Sequence, residues 1–462
     1  MDVCYHIDVL KRLLSFAALV LAHLPLPAAD TFVTNAVMTC RTYEPGSEIP
    51  LECWAPEGLK DGEGAVYFFM EHRAKDCLDT MKPMMADGRI PPGIGVFIIS
   101  GWQTAQAKSS KRQLRAEEFD QAGCEFPNAI VEEIIPEAER RLGVKASRSP
   151  DLHFIAGNSS GGHAAWNACW YRNDYFRRCY LSSPTFCNMR LGNLAMPLVR
   201  KCEPRPIRVW MSGGTVEPDY YFGDSYHVAA DAAGALRSSG YEIRFERFPH
   251  EGHGTHWGDM SYVAKTLEWL FADWRTKPVA VPAGPRRFRD TVAKGSVWER
   301  CGFTMPPPVR EVISTDRCRA YSVSPTNRFV MSERIAADGS RDGRIRLAPL
   351  ELAWNVSEVG GRAIALTEDD RTFVATELGV QCVVSFGLMD LILPLPGDLP
   401  CDNVAIVGKT LYASSGDRVF RRPLVKPAAD PSKCVPPSTP AYGDSGGYMR
   451  EHQPDAALVE PK

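Results

Sequence analysis

Six residues, Gly157-Asn158-Ser159-Ser160-Gly161-Gly162, constrain this chain more than any other feature. They stand between an apolar run at residues 151–156 and an alanine-rich run that begins at Ala164, so the sequence predicts a short strand, a sharp turn and a helix. A serine on such a turn is held in a strained backbone conformation that pushes its hydroxyl outwards, and its neighbours must be small for the turn to close. Gly157 and Gly161 supply that room. A Gly-x-Ser-x-Gly match arises by chance about 0.2 times in a chain of this length. The flanking strand and helix, with the extra Gly162, therefore carry the reading as a nucleophile elbow rather than a glycine-rich structural turn.

A serine hydroxyl is a poor nucleophile until a base takes its proton and an acid orients that base. Where an elbow of this kind occurs in a sheet flanked by helices, the order along the chain is serine, acid, histidine. Ile207-Arg208-Val209-Trp210-Met211 reads as a strand, and the loop Ser212-Gly213-Gly214-Thr215-Val216-Glu217-Pro218-Asp219 follows at its carboxyl end, where ligands bind in open α/β sheets. Glu217 is the first candidate acid and Asp219 the alternative. A second strand, residues 241–248, alternates in polarity and runs into Pro249-His250-Glu251-Gly252-His253-Gly254-Thr255-His256, before a helix expected at residues 260–274. His253, flanked by two glycines, has the freest approach and is the candidate base, with His256 second. Three histidines could also ligate zinc, but the spacing is not His-x-x-x-His and no Cys-x-x-Cys lies near, so no metal ligand is assigned.

Further runs join these: Asp87-Gly88-Arg89-Ile90-Pro91-Pro92-Gly93-Ile94-Gly95-Val96-Phe97-Ile98 before Gly101, Arg115-Ala116-Glu117-Glu118-Phe119-Asp120, and Glu132-Glu133-Ile134-Ile135-Pro136. With the elbow, this ordered set resembles the enterochelin esterase and esterase D branch of the α/β-hydrolases over residues 65–274, of the kind fused to a gluconolactonase-like propeller. The resemblance implies an α/β sheet flanked by helices, hydrolysis of a small-molecule ester such as a sugar or siderophore ester through an acyl-enzyme on Ser159, and no cofactor. Its acid loop falls on Gly214-Thr215-Val216-Glu217 with Asp219, and its Gly-His on Gly252-His253. Ser160 N–H is the expected oxyanion donor, with a second near Met70 to His72. There the family carries Phe-Gln-Asp-Gly whereas this chain has Phe69-Met70-Glu71-His72, a departure that implies a slow enzyme, a changed substrate or a hydrolase-like binding module. Arg115 and Glu118 are read either as shaping the acyl side or as a structural ion pair.

The chain has 462 residues, more than one core usually holds. Its 53 basic and 56 acidic residues form no basic stripe, which leaves nucleic-acid binding without support. Residues 1–29 read as a secretory signal: Lys11 and Arg12 precede an apolar run, and Pro27-Ala28-Ala29 offers a cleavage site. That run is too short to span a bilayer comfortably, so a secreted or periplasmic protein is expected, with a signal-anchored one as the alternative. Fourteen cysteines fit an oxidising compartment; loss of Cys4 with the signal would leave an odd number, and the pairing stays open. Asn355-Val356-Ser357 is a possible glycosylation acceptor.

The α/β unit is expected at residues 30–275, including a helix at 128–142 that Gly143 ends. A Pro-rich linker at 276–299 and a β-rich part at 300–425, with short strands at intervals of about ten residues, would follow. The β-rich part resembles the last blades of a gluconolactonase-like propeller. It is too short for six blades at roughly 40–50 residues each. Metal-dependent lactonase chemistry there is the alternative reading. Against it, the family's metal-binding aspartate aligns with Arg362, a cation that would repel a metal ion. Asp402 and Asn403 are the remaining polar candidates, more simply read as turn caps. Residues 426–462, rich in Pro, Ser and Gly, read as disordered.

Overall fold

The computed structural model describes residues 30–41, 46–71, 74–104, 110–354 and 358–435. The expected signal segment, His72, the sequon at Asn355 and residues 436–462 lie outside the described residues.

The amino-terminal part is an α/β sheet of ten strands. Two antiparallel strands, β1 (Thr31–Thr39) and β2 (Glu48–Ala55), open it; β3 (Ala65–Met70) and helix α1 (Ala74–Ala86) lead to β4 (Gly93–Ile98). Short strands β5 (Trp102–Thr104) and β6 (Lys111–Gln113) extend one edge, followed by α2 (Arg115–Phe119), α3 (Glu125–Ala129) and α4 (Ile135–Leu142). Then come β7 (Phe154–Asn158), α5 (Ser160–Tyr171), β8 (Arg178–Ser182), α6 (Ala195–Lys201) and β9 (Arg208–Gly214). A hairpin, β10 (Asp219–Tyr220) with β11 (Gly223–Asp224), precedes α7 (Ser225–Ser238), β12 (Glu242–Phe248) and α8 (Met260–Leu270). The spatial order is β12-β9-β8-β7-β3-β4-β2-β5-β6, and the six strands from β12 to β4 run parallel. This is the α/β-hydrolase arrangement: a mixed sheet flanked by helices, with the elbow at the end of a central strand.

Burial explains why the central strands are apolar along their whole length. Every residue of β3, β4, β8 and β9 is buried, as parallel strands covered on both faces require. Along β3, Val66, Phe68 and Met70 enter one core cluster and Ala65, Tyr67 and Phe69 the other, as strand alternation dictates. Helices α1 and α8 cover the second face, while α3 to α7 cover the first. The helix expected at 128–142 is interrupted by a π-turn at Ile130–Ile134, just before Pro136. Proline has no N–H and its ring crowds the carbonyl four residues back, so a widened turn accommodates it. Gly143 ends the helix with a left-handed φ of 70°.

Three four-stranded antiparallel sheets follow, and they do not close into a barrel. The stretch expected as a linker holds helix α9 (Arg286–Thr291), then β13 (Glu299–Cys301). The first sheet is β14 (Glu311–Ile313), β15 (Arg319–Ser324), β16 (Asn327–Ile335) and β17 (Arg341–Pro349). The second is β18 (Ala363–Leu366), β19 (Thr372–Thr376), β20 (Gly379–Val383) and β21 (Met389–Leu393). The third joins β22 (Asn403–Val407), β23 (Thr410–Ser415) and β24 (Arg418–Pro423) to β13, which pairs antiparallel with β24.

The two parts share one apolar core, and polar groups fasten the seam. Arg422, almost fully buried, pairs with Glu203 at 2.7 and 2.9 Å; Lys201 meets Glu351 at 2.6 Å and Arg205 meets Asp398 at 2.7 Å. In α9, Arg287 is buried and donates to Asp390 O at 2.9 Å and to Arg200 O. The expected linker is thus packed rather than an open tether. Residues 428, 429 and 435, expected to lie in a disordered stretch, are instead held by backbone hydrogen bonds: Ala428 N donates to Gly408 O, Ala429 N to Leu366 O and Val435 N to Thr315 O.

Candidate active site

Ser159 caps the strand-to-helix turn at φ 56°, ψ −122°, a conformation that side chains rarely adopt. Gly157 has no room for a side chain, Gly162 only a tight fit, and Gly161 would make an ordinary contact with Met70 Cβ at 3.4 Å. A Cβ on Gly157 would stand 2.2 Å from the Gly161 carbonyl, and one on Gly162 3.1 Å from Pro184 Cα. Ser159 N donates to Ser182 O at 2.8 Å, which ties the turn to the end of β8. The Ser159 hydroxyl lies 3.2 Å from Thr185 Oγ1. Ser160 is the first residue of α5, so its N–H has no acceptor within the helix and sits at the positive end of the helix dipole.

Glu217 and His253 are joined: Nδ1 of the imidazole hydrogen-bonds Glu217 Oε2. The other carboxylate oxygen accepts from Ser183 Oγ and, at 3.3 Å, from Gly214 N. Burial alone would raise the Glu217 pKa, but the bonds from His253 and Ser183 outweigh it and hold the carboxyl below its usual range. The His253 loop packs on the elbow. Gly254 N donates to Ser183 Oγ at 3.0 Å, and a Cβ on Gly254, at φ 65°, would stand 2.7 Å from Asn158 Oδ1. Gly214 is equally confined, since a Cβ there would meet Glu251 O at 2.1 Å.

The alternates lie elsewhere. Asp219 is exposed in the β10–β11 hairpin, opposite Asp224. His256 lies 2.7 Å from Glu251 and stacks against Phe248 at 3.8 Å, while His250 is exposed with its amide on Thr215 Oγ1. The imidazoles of His253 and His256 therefore face different carboxylates, Glu217 and Glu251. Among the described residues, no group of three or more His, Cys, Asp or Glu side chains is placed to hold a metal ion. In the β-rich part, Arg362 itself takes the centre of three carboxylates, Glu358 and Glu377 at 2.5 Å and Asp402 at 3.4 Å. Asp402 Oδ2 also accepts from Gly416 N in the turn between β23 and β24, whereas Asn403 caps no turn and donates Nδ2 to Pro306 O, 97 residues away.

The departure from the family pattern is filled by a charged network. Glu71, at φ 58°, receives Arg115 Nε and Nη2 at 2.6 and 2.9 Å. Arg115 Nη1 donates to Ser160 Oγ at 2.7 Å, and Ser160 in turn bonds Asp120, a buried carboxyl whose pKa desolvation raises despite that bond and the nearby Arg115 charge. Arg115 and Glu118 do not pair; Glu118 accepts from Gly101 N at 2.7 Å. Glu71 N already donates to Ile98 O at 2.8 Å, so that amide is committed to the sheet and is no oxyanion donor. Sequence reasoning missed Ser183, Thr185 and the Glu71 pairing with Arg115. The run Ser182-Ser183-Pro184-Thr185 at the end of a parallel strand was the one available signal.

Comparison with known proteins gives fold neighbours only. No family model matches the chain, and no curated protein matches it. Among solved structures, a ferulic acid esterase is 16% identical over 53% of this chain and 98% of its own, with a TM-score of 0.40. The ferric enterobactin esterase of Salmonella typhimurium is 12% identical over 53% of this chain and 58% of its own, TM-score 0.40. A feruloyl esterase module from Clostridium thermocellum is 14% identical over 54% of this chain and 90% of its own, TM-score 0.36.

Proposed function

We propose that this chain is an exported serine esterase that hydrolyses carboxylic esters of small molecules, sugar or siderophore esters among them. The observation that carries the reading is the clasp on Glu217: a buried, ionised carboxylate bonded to His253 Nδ1, with the histidine loop packed against Asn158, the residue before the strained elbow serine. Glu217 fixes the imidazole tautomer that leaves the Nε2 lone pair free and balances the charge once that nitrogen is protonated. Ser159 Oγ attacks the ester carbonyl carbon as His253 takes its proton. The tetrahedral oxygen receives the Ser160 N–H, supported by the dipole of α5. His253 then protonates the leaving alcohol, and water repeats the sequence on the acyl-enzyme. The chain's residues carry every proton in this scheme, and export is read from residues 1–29.

The test is reaction of the purified protein with a fluorophosphonate probe, with Ser159→Ala alongside. Labelling at Ser159 alone, lost in the variant, supports an activated nucleophile. Well-folded protein that resists the probe favours the second reading, a hydrolase-like binding module, for which the committed Glu71 amide is the specific support. A metal-dependent lactonase would instead lose activity to a chelator and keep it in Ser159→Ala; the guanidinium of Arg362 amid its carboxylates speaks against that chemistry.

A further inference from the structure

Cys318 and Cys434 are far apart in sequence and share one carbonyl. The Sγ of each is placed to donate to Asp316 O, at 3.5 and 3.4 Å, so the two sulfurs are no more than about 7 Å apart, a gap that rotation about the Cα–Cβ bonds can bring towards bonding distance. They are also the two exposed cysteines among the described residues, the others being buried or half-buried. A thiol-disulfide oxidant therefore reaches these two first.

The backbone on both sides is already held. Val435 N donates to Thr315 O at 2.8 Å, Arg317 Nη2 to Pro431 O at 2.6 Å, and Cys318 N to Asp316 Oδ1 at 2.9 Å. The segment so fastened, residues 428–433, forms one wall of a cavity of about 530 Å³ whose apolar lining includes Val312, Ile335, Leu366 and Ile406. It thus lies across β14 of the first sheet, β18 of the second and β22 of the third.

We infer that Cys318 and Cys434 form a disulfide that straps the carboxyl-terminal segment across the three sheets of the β-rich part. One thiolate attacks a sulfur of a low-molecular-weight disulfide such as oxidised glutathione, forming a mixed disulfide and releasing one glutathione thiol. The other cysteine thiolate then displaces the second glutathione. Two S–H bonds are lost and one S–S bond forms, and the two electrons reduce the oxidant to two thiols. The closed loop spans about 115 residues, long enough for a large restriction of the unfolded chain. The inference rests on this geometry and holds whichever reading of Ser159 is correct.

Full-length protein, its fold checked by far-UV circular dichroism, is equilibrated in glutathione buffer at roughly −200 mV, the poise of an oxidising secretory compartment. Remaining thiols are alkylated, and unreduced peptides are read by mass spectrometry. The expected result is a Cys318–Cys434 cross-linked peptide, about two mass units lighter than its thiol components, absent in Cys318→Ser and in Cys434→Ser. Cleavage after Lys433, analysed under denaturing conditions, should leave the carboxyl-terminal fragment attached until reductant is added. The oxidised protein should melt roughly 2–5 °C above Cys318→Ser. Alkylation of both cysteines in folded, oxidised protein, or their pairing with other cysteines, overturns the inference.

Discussion

Gly157 shows at single-residue scale how little freedom the elbow leaves. The 2.2 Å contact that a Cβ would make is with backbone, which cannot swing aside. Gly157→Ala is therefore expected to lower stability by about 2–4 kcal/mol and any esterase activity by at least ~100-fold, read by urea unfolding and turnover of a chromogenic ester. Glu217→Gln keeps the size but supplies an amide where Nδ1–H needs an acceptor; ester turnover should fall about 10⁴-fold, with the fluorophosphonate rate falling in parallel. Arg115→Ala should expose the elbow to an uncompensated Glu71 carboxylate. Turnover is expected to drop ~10–100-fold and to recover in part in the Arg115→Ala, Glu71→Gln double variant, which a purely structural role for Arg115 would not produce. Of these residues, Ser159, Glu217 and His253 could be picked out in the sequence because a motif or a strand-end loop marks each. Ser183 and Thr185 were marked only by the run Ser182-Ser183-Pro184-Thr185 after β8, and the Glu71–Arg115 pair by nothing. They come from the end of β3, the start of α2 and the loop after β8, brought together only by sheet order, and isolated hydroxyls or charges carry no periodic signal.

Elements were legible in proportion to their length and burial. The apolar runs at β7, β9 and β12, and β19 at Thr372–Thr376, stand out because burial demands unbroken or alternating hydrophobicity. Three-residue strands such as β5, β6 and β13 are too short to show any period. The π-turn before Pro136 was masked because Ile130, Ile134 and Ile135 still fall on one buried face. The helix stop at Gly143 offers a clean test. Its φ of 70° is left-handed, and nothing lies within 4 Å of a Cβ there, so Gly143→Ala should cost about 1 kcal/mol of unfolding free energy through the backbone alone.

Across the whole molecule, stability should fall with acid in a definite window. Burial lowers the pKa of His153 and of His163 to about 4, from an ordinary value near 6.5. The unfolded chain thus binds protons that the folded one refuses, and stability present above pH ~6.5 is lost as pH falls towards 4, on the order of 3 kcal/mol for each histidine. Glu217, lowered by its bonds, acts in the same sense below the carboxylate range. Urea midpoints measured from pH 7 to 4 should decline, and less steeply in His163→Asn. At the seam, Arg422→Met strands Glu203 and should cost on the order of 3 kcal/mol, splitting one calorimetric transition into two as the β-rich part melts first. The pairing of β13 with β24 also has a bearing on biosynthesis. The strand that enters the β-rich part early finds its hydrogen-bonding partner only after more than a hundred further residues have left the ribosome. The α/β part can condense around its parallel strands during translation, whereas the third sheet waits for β24 at Arg418–Pro423, and its early strand meanwhile needs shielding from other edges.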